Sequence, residues 1–124
     1  MLAGMRQNEI LKDGTWGGEI HPDVKPQPND IVITQTRVSS FYASPLEAIL
    51  AAQDITHLAL AGIATDGVVE GTARDAVDRG YYVTITEDCC ATFTEQAHKG
   101  VLSGVLGMLT TVAKSNDIAS ALAH

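Results

Sequence analysis

The feature that most limits the fold is a rhythm. Short apolar runs alternate with stretches whose apolar residues recur every three or four positions. Residues 31–33 (Ile-Val-Ile) read as a buried strand set off by the turn-forming Asn29-Asp30 pair. Ser44 and Pro45 then open a helix, with Ser44 as N-cap, Glu47 in the first turn, and Leu46, Ile49 and Leu50 on the inner face. Residues 57–61 read as a second strand. A second helix begins at Asp66 or Gly67 and runs to about Arg79, because Val69, Thr72, Ala73, Ala76 and Val77 fall on one helical face. Gly80 supplies its stop. Residues 82–85 form the third strand. Thr94-Glu95 opens a long helix to about residue 109, followed by a β-prone piece at 110–113 and a tail that can turn helical after Asp117.

Strand and helix in strict alternation predict a parallel α/β sheet with crossovers of one hand. The apolar runs are continuous rather than alternating, which predicts a sheet covered on both faces. The first thirty residues show no such period. They hold Gly14, Gly17, Gly18, Pro22, Pro26 and Pro28, and read as an irregular arm, residues 1–30, ahead of an α/β domain at 31–124.

The chain has 124 residues, enough for one core, and is 45% hydrophobic and 19% charged, as in a globular domain. Its net charge is −7, with no basic cluster, so a nucleic-acid backbone or an anionic membrane surface would repel it. The opening residues contain no apolar run of signal-peptide or membrane-spanning length. Cys89 and Cys90 are adjacent and have no third cysteine to pair with, which points to a reducing, cytoplasmic compartment. His21, His57, His98 and His124 lack metal-ligand spacing, so neither a metal nor another cofactor is expected.

Three stretches carry a family resemblance: GTWGGEIHPDVKPQPND at 14–30, ITQTRVSSFYASPLE at 33–47, and LALAGIATDGVVEGTARDAVDRGYYVTITEDCCA at 58–91. In this order and spacing they resemble the isochorismatase-like, or cysteine hydrolase, family. The resemblance implies a Rossmann-like three-layer α/β/α sandwich around a parallel sheet. It also implies hydrolysis of a small amide, ureido compound or enol ether. The amide hydrolases of the family use a Cys nucleophile, an Asp base and a Lys, with backbone N–H groups at a helix start to hold the oxyanion.

At the matching positions this chain departs from that pattern. Val68 stands at the place of the nucleophile and Gln35 at the place of the Lys. The family's Asp lies on a first strand that has no counterpart here, so the sheet is expected to lack its N-terminal strand or strands. The surrounding pattern is kept. Arg37, Ser39 and Phe41 follow Gln35, and Ile63, Ala64, Thr65, Asp66 and Gly67 precede Val68. The resemblance implies a cis peptide bond between Ile63 and Ala64. With Trp16 in the arm, the residues Arg37, Phe41, Ile63, Ala64, Thr65, Asp66 and Gly67 are the expected pocket for a small-molecule ligand.

Each candidate also has a plainer reading. Asp66 is either a pocket carboxylate or the N-cap of the second helix. Gly67 and Val68 offer N–H groups to an anion or merely begin a helix. Cys89 and Cys90 are substitute nucleophiles or structural thiols. Trp16 borders the site or a subunit contact, or covers apolar surface. The pairs Glu70–Arg74 and Asp75–Arg79 read as a solvated helix face. A sheet without its first strand would expose an apolar edge and a bare face, so the chain is expected to form a homo-oligomer or to need a partner chain.

Overall fold

The structure is a computed structural model and describes Gly4 and residues 7–124. The chain divides into two compact units, Met1–Val32 and Ile33–His124. In the first unit the proline and glycine positions produce short turns rather than regular structure. Single 3-10 turns occupy Trp16–Gly18 and Pro22–Val24. The second has Pro22 at its first position and is capped by His21, whose Nδ1 accepts from the Asp23 N–H at 3.2 Å. Asp30 closes a further turn by accepting from the Gln27 N–H at 2.8 Å.

The strand predicted at 31–33 does not form. No described neighbour pairs with it, and Ile31 and Val32 stay 57% and 62% exposed. An apolar tripeptide becomes a strand only when a ladder satisfies its backbone groups.

The second unit is parallel α/β. Its elements are α1 (Leu46–Ala52), β1 (His57–Ile63), a wide π-type turn at Thr65–Val69 that runs into α2 (Glu70–Asp78), and β2 (Tyr82–Ala91). Then come α3 (Glu95–Val101), a second wide turn at Leu102–Leu106, α4 (Gly107–Leu109), β3 (Thr111–Ala113) and α5 (Ser115–Leu122). The three strands lie in the order β1-β2-β3, all parallel. The N-cap of α1 is Pro45 rather than the predicted Ser44, although Ser44 Oγ still accepts from the Leu46 N–H at 3.2 Å. At the end of α2, Gly80 adopts φ +88 and donates to the Val77 carbonyl, while the Tyr81 N–H reaches Ala76. This is the paired closure of a Schellman cap, which favours glycine at that position.

The core lies between the sheet and α2. Val83 and Ile85 of β2 face Val69, Ala73 and Ala76, with Phe41, Leu50 and Leu106 closing the cluster and Leu58 and Leu60 packed against it. The inward residues of α2 are those its periodicity predicts. The expectation of a sheet covered on both faces fails at β1, where His57, Ala59, Ala61 and Ile63 are exposed in alternation with half-buried Leu58, Leu60 and Gly62. The reason is topological. Consecutive parallel neighbours joined by crossovers of one hand place both crossing helices on the same face.

Two further departures have local causes. The helix expected over 94–109 is interrupted at Gly104, whose φ −90 and ψ −110 leave the helical region. Gly100, Gly104 and Gly107 fall within this stretch, and each costs a helix about 1 kcal/mol relative to alanine. The last helix begins at Ser115 rather than beyond Asp117, because Asp88 of β2 accepts from both the Ser115 N–H (2.8 Å) and its hydroxyl (2.7 Å). Those bonds, the hydroxyl's first, hold the Asp88 carboxyl below its usual range. A lowered folded-state pKa stabilises the fold above the ordinary aspartate value of about 3.9, and that contribution disappears as pH falls through the lowered value. In thermal melts, wild type should therefore exceed Asp88→Asn at neutral pH, and the two should converge in acid. A gap that persists unchanged in acid would contradict this assignment.

Candidate functional site

In a parallel sheet the C-terminal ends of neighbouring strands bring together whatever residues follow them. Here β1 ends in Ile63, which joins Ala64 through a cis peptide bond, as the resemblance implied. The chain then enters the wide turn, where the Val69 N–H bonds back to the Ala64 carbonyl at 3.1 Å. Wide turns of this kind are frequent at functional sites. Thr65 is fully buried, and its hydroxyl pairs with His98 Nδ1 at 2.9 Å. Asp66 is exposed and accepts a hydrogen bond from the Thr92 hydroxyl, just beyond β2. Ala64 is buried, while Gly67 and Val68 are half-buried.

Asp66 is therefore not a helix cap. Its side chain makes no bond to the first turn, and the helical stretch already begins at Thr65. A carboxylate engaged by a hydroxyl from the neighbouring strand is instead aimed across the end of the sheet. Thr92 and His98 were not among the sequence-predicted pocket residues. The topology rule that brings strand ends together could have found Thr92, since it follows β2 as Asp66 follows β1. His98 lies just inside α3, whose N-cap Thr94 accepts from the Ala97 N–H.

β2 is longer than predicted and includes both cysteines. Leu60 pairs with Ile85 and Gly62 with Cys90, so two residues along β1 oppose five along β2. The excess bulges outward and leaves Cys89 exposed, whereas Cys90 turns inward, its Sγ 4.0 Å from the Leu60 carbonyl. Burial, more than any other influence, pushes the Cys90 thiol above its ordinary value, with the Cys89 and Asp88 charges adding to it. A raised thiol is a poor source of thiolate.

The side chains of Gln35, Arg37 and Phe41 are already engaged. Gln35 donates from Nε2 to the Arg37 and Val38 carbonyls, both at 2.7 Å, and accepts from the Ser40 hydroxyl at 2.9 Å. Arg37 turns its Nη1 onto the Thr36 carbonyl at 2.8 Å. Phe41 is 5% exposed and belongs to the core, stacked on Tyr81 at 5.8 Å. Trp16 opens the first turn of the other unit. The shallow depression lined by Ile55, Thr56, Arg79 and Tyr81 lies where β1 and β2 begin, at the opposite end of the sheet from Asp66. Among the described residues no group of His, Cys, Asp and Glu has the arrangement of a metal site, and no helix is long and apolar enough to cross a membrane.

Comparison with known proteins places this geometry. The isochorismatase domain family matches residues 1–117. The chain is similar to the ureidoacrylate amidohydrolase RutB of Caulobacter segnis, with 36% identity over 111 residues, which are 86% of this chain and 46% of that protein. It is 44% identical over 87 residues to the RutB of Variovorax paradoxus, covering 70% of this chain and 33% of that one. Among solved structures, an isochorismatase-like hydrolase from Alkaliphilus metalliredigens superposes with a TM-score of 0.84 at 30% identity, over 88% of this chain and 59% of its own. The nicotinamidase PncA from Bacillus subtilis gives 0.63 at 32% identity, over 67% of this chain and 46% of its own. The chain thus spans about half the length, or less, of these curated relatives. By fold and by sequence it belongs to the isochorismatase domain family.

Proposed function

We propose that this chain retains the ligand corner of an isochorismatase-like hydrolase, at the C-terminal ends of β1 and β2, without the family's thiol-based hydrolysis. The observation that carries this reading is Val68, half-buried in the wide turn directly after the cis Ile63–Ala64 bond. A valine there cannot attack a carbonyl, and Gln35 carries no charge to replace a Lys. The names of the curated relatives support an amide or ureido compound as the ligand class. The polar groups that remain to meet it are Asp66, held by Thr92, and His98, held by Thr65. Two unpaired thiols support a reducing, cytoplasmic setting, and the net charge of −7 argues against nucleic-acid partners.

The test is turnover on a panel of carboxamides and ureido acids. The expected rate is that of buffer alone, unchanged by alkylating the thiols, while thermal-shift measurements on the same panel report any binding. Enzymatic turnover abolished by alkylation would sink the reading.

A second reading, a noncatalytic assembly subunit, is favoured by one observation. Ala59, Ala61 and Ile63 of β1 and Tyr82 of β2 are exposed, Ile63 to 76%. An exposed apolar strand of this kind can pair with or pack against another chain. A light-scattering mass of two chains or more is expected; the mass of one chain with a cooperative melt would contradict it.

A further inference from the structure

We infer that Gln35 is the latch of a strap, residues 35–41, held on the first turns of α2 by one continuous relay of side-chain hydrogen bonds. The strap meets α2 at two adjacent residues. At Gly71 the helix surface is bare, and a Cβ there would lie 2.9 Å from Val38 Cγ1, so the glycine is what admits Val38. At Thr72, one position on, the relay begins. The Ser40 N–H donates to the buried Thr72 hydroxyl at 3.0 Å, which donates back to the Ser40 hydroxyl at 3.2 Å. The Ser40 hydroxyl donates to Gln35 Oε1 at 2.9 Å, and Gln35 Nε2 spends its two protons on the Arg37 and Val38 carbonyls.

Only an amide satisfies both ends of this chain. A Lys ammonium has donors for the two carbonyls but no acceptor for the Ser40 hydroxyl; a carboxylate has the acceptor but no donors. The side chain at the family's Lys position is therefore committed to fixing the backbone of the strap. The latch goes beyond the proposed corner and does not depend on any ligand there.

Native-state hydrogen exchange on the full chain tests it at the Ser40 amide. Gln35→Lys and Gln35→Glu should each speed exchange there roughly tenfold, the equilibrium equivalent of about one net hydrogen bond. Thr72→Val, which removes the acceptor itself, should do at least as much. The Ile85 amide, in the middle of the sheet, reports global opening, so Ser40 exchange in the variants should depend on denaturant much more weakly than Ile85 exchange does, which separates local release from general destabilisation. Because the relay acts as one unit, Gln35→Lys added to Thr72→Val should bring little more. Wild-type exchange at Ser40 in both Gln35 variants, or strict additivity in the double variant, would overturn the latch.

Discussion

Replacing Ile85 by alanine is expected to remove about 2–5 kcal/mol of stability, the usual range for truncating a fully buried aliphatic side chain. Ile85 has no exposed surface and sits at the centre of the sheet, paired with Leu60 on β1 and Val112 on β3. Truncation would leave a cavity between β2 and α2. Domains of this size are stable by only about 5–15 kcal/mol, so the urea midpoint should fall steeply or the transition vanish. Urea unfolding followed by far-UV circular dichroism measures it. A loss under about 1 kcal/mol would mean that the core is not where the packing puts it.

Phe41→Ala should have an effect of similar size, about 3–5 kcal/mol, and it separates two roles for this residue. As a pocket residue, Phe41 would alter ligand affinity on truncation and leave stability nearly intact. Its ring instead lies in the core, stacked on Tyr81, with the Arg79 guanidinium 4.9 Å from its centroid. Arg79 is itself held by Glu47 at 3.2 Å and by Asp75 at 3.3 Å. Stacking adds about 0.5–1.5 kcal/mol to the burial, and the cation–π contact acts in the same direction. The thermal midpoint should therefore drop sharply in Phe41→Ala. An unchanged midpoint would return Phe41 to the pocket.

What could be read from the sequence follows from which signals are local. The inward face of α2 was legible because Val69, Thr72, Ala73, Ala76 and Val77 share one helical stripe, and Gly80 marks its end through backbone geometry alone. The strand expected at 31–33 does not form, because an apolar run does not reveal whether a partner exists to pair with it. The break at Gly104 is a weak local signal that becomes visible once three glycines are counted in one helix. Asp66 was ambiguous for a different reason. Asp before a helix commonly caps it, and only the arrival of Thr92 from the adjacent strand end decides otherwise. Thr65–His98, Asp88–Ser115 and Ser40–Thr72 join residues 27 to 33 positions apart. Pairings of that kind are properties of topology and not of any window of sequence.

The proposed corner after β1 would keep the family's fold without a nucleophile. Intact-mass spectrometry of the chain, acid-quenched during incubation with carboxamide and ureido substrates, tests it most directly. Thiol hydrolysis passes through a covalent acyl-enzyme, which such a quench preserves. With Val68 at the position proposed for the nucleophile, Cys90 turned inward and Cys89 exposed, the mass should remain that of the unmodified chain. An acyl-sized increment that maps to Cys89 or Cys90 and disappears as product forms would contradict the account and move the reaction centre onto β2.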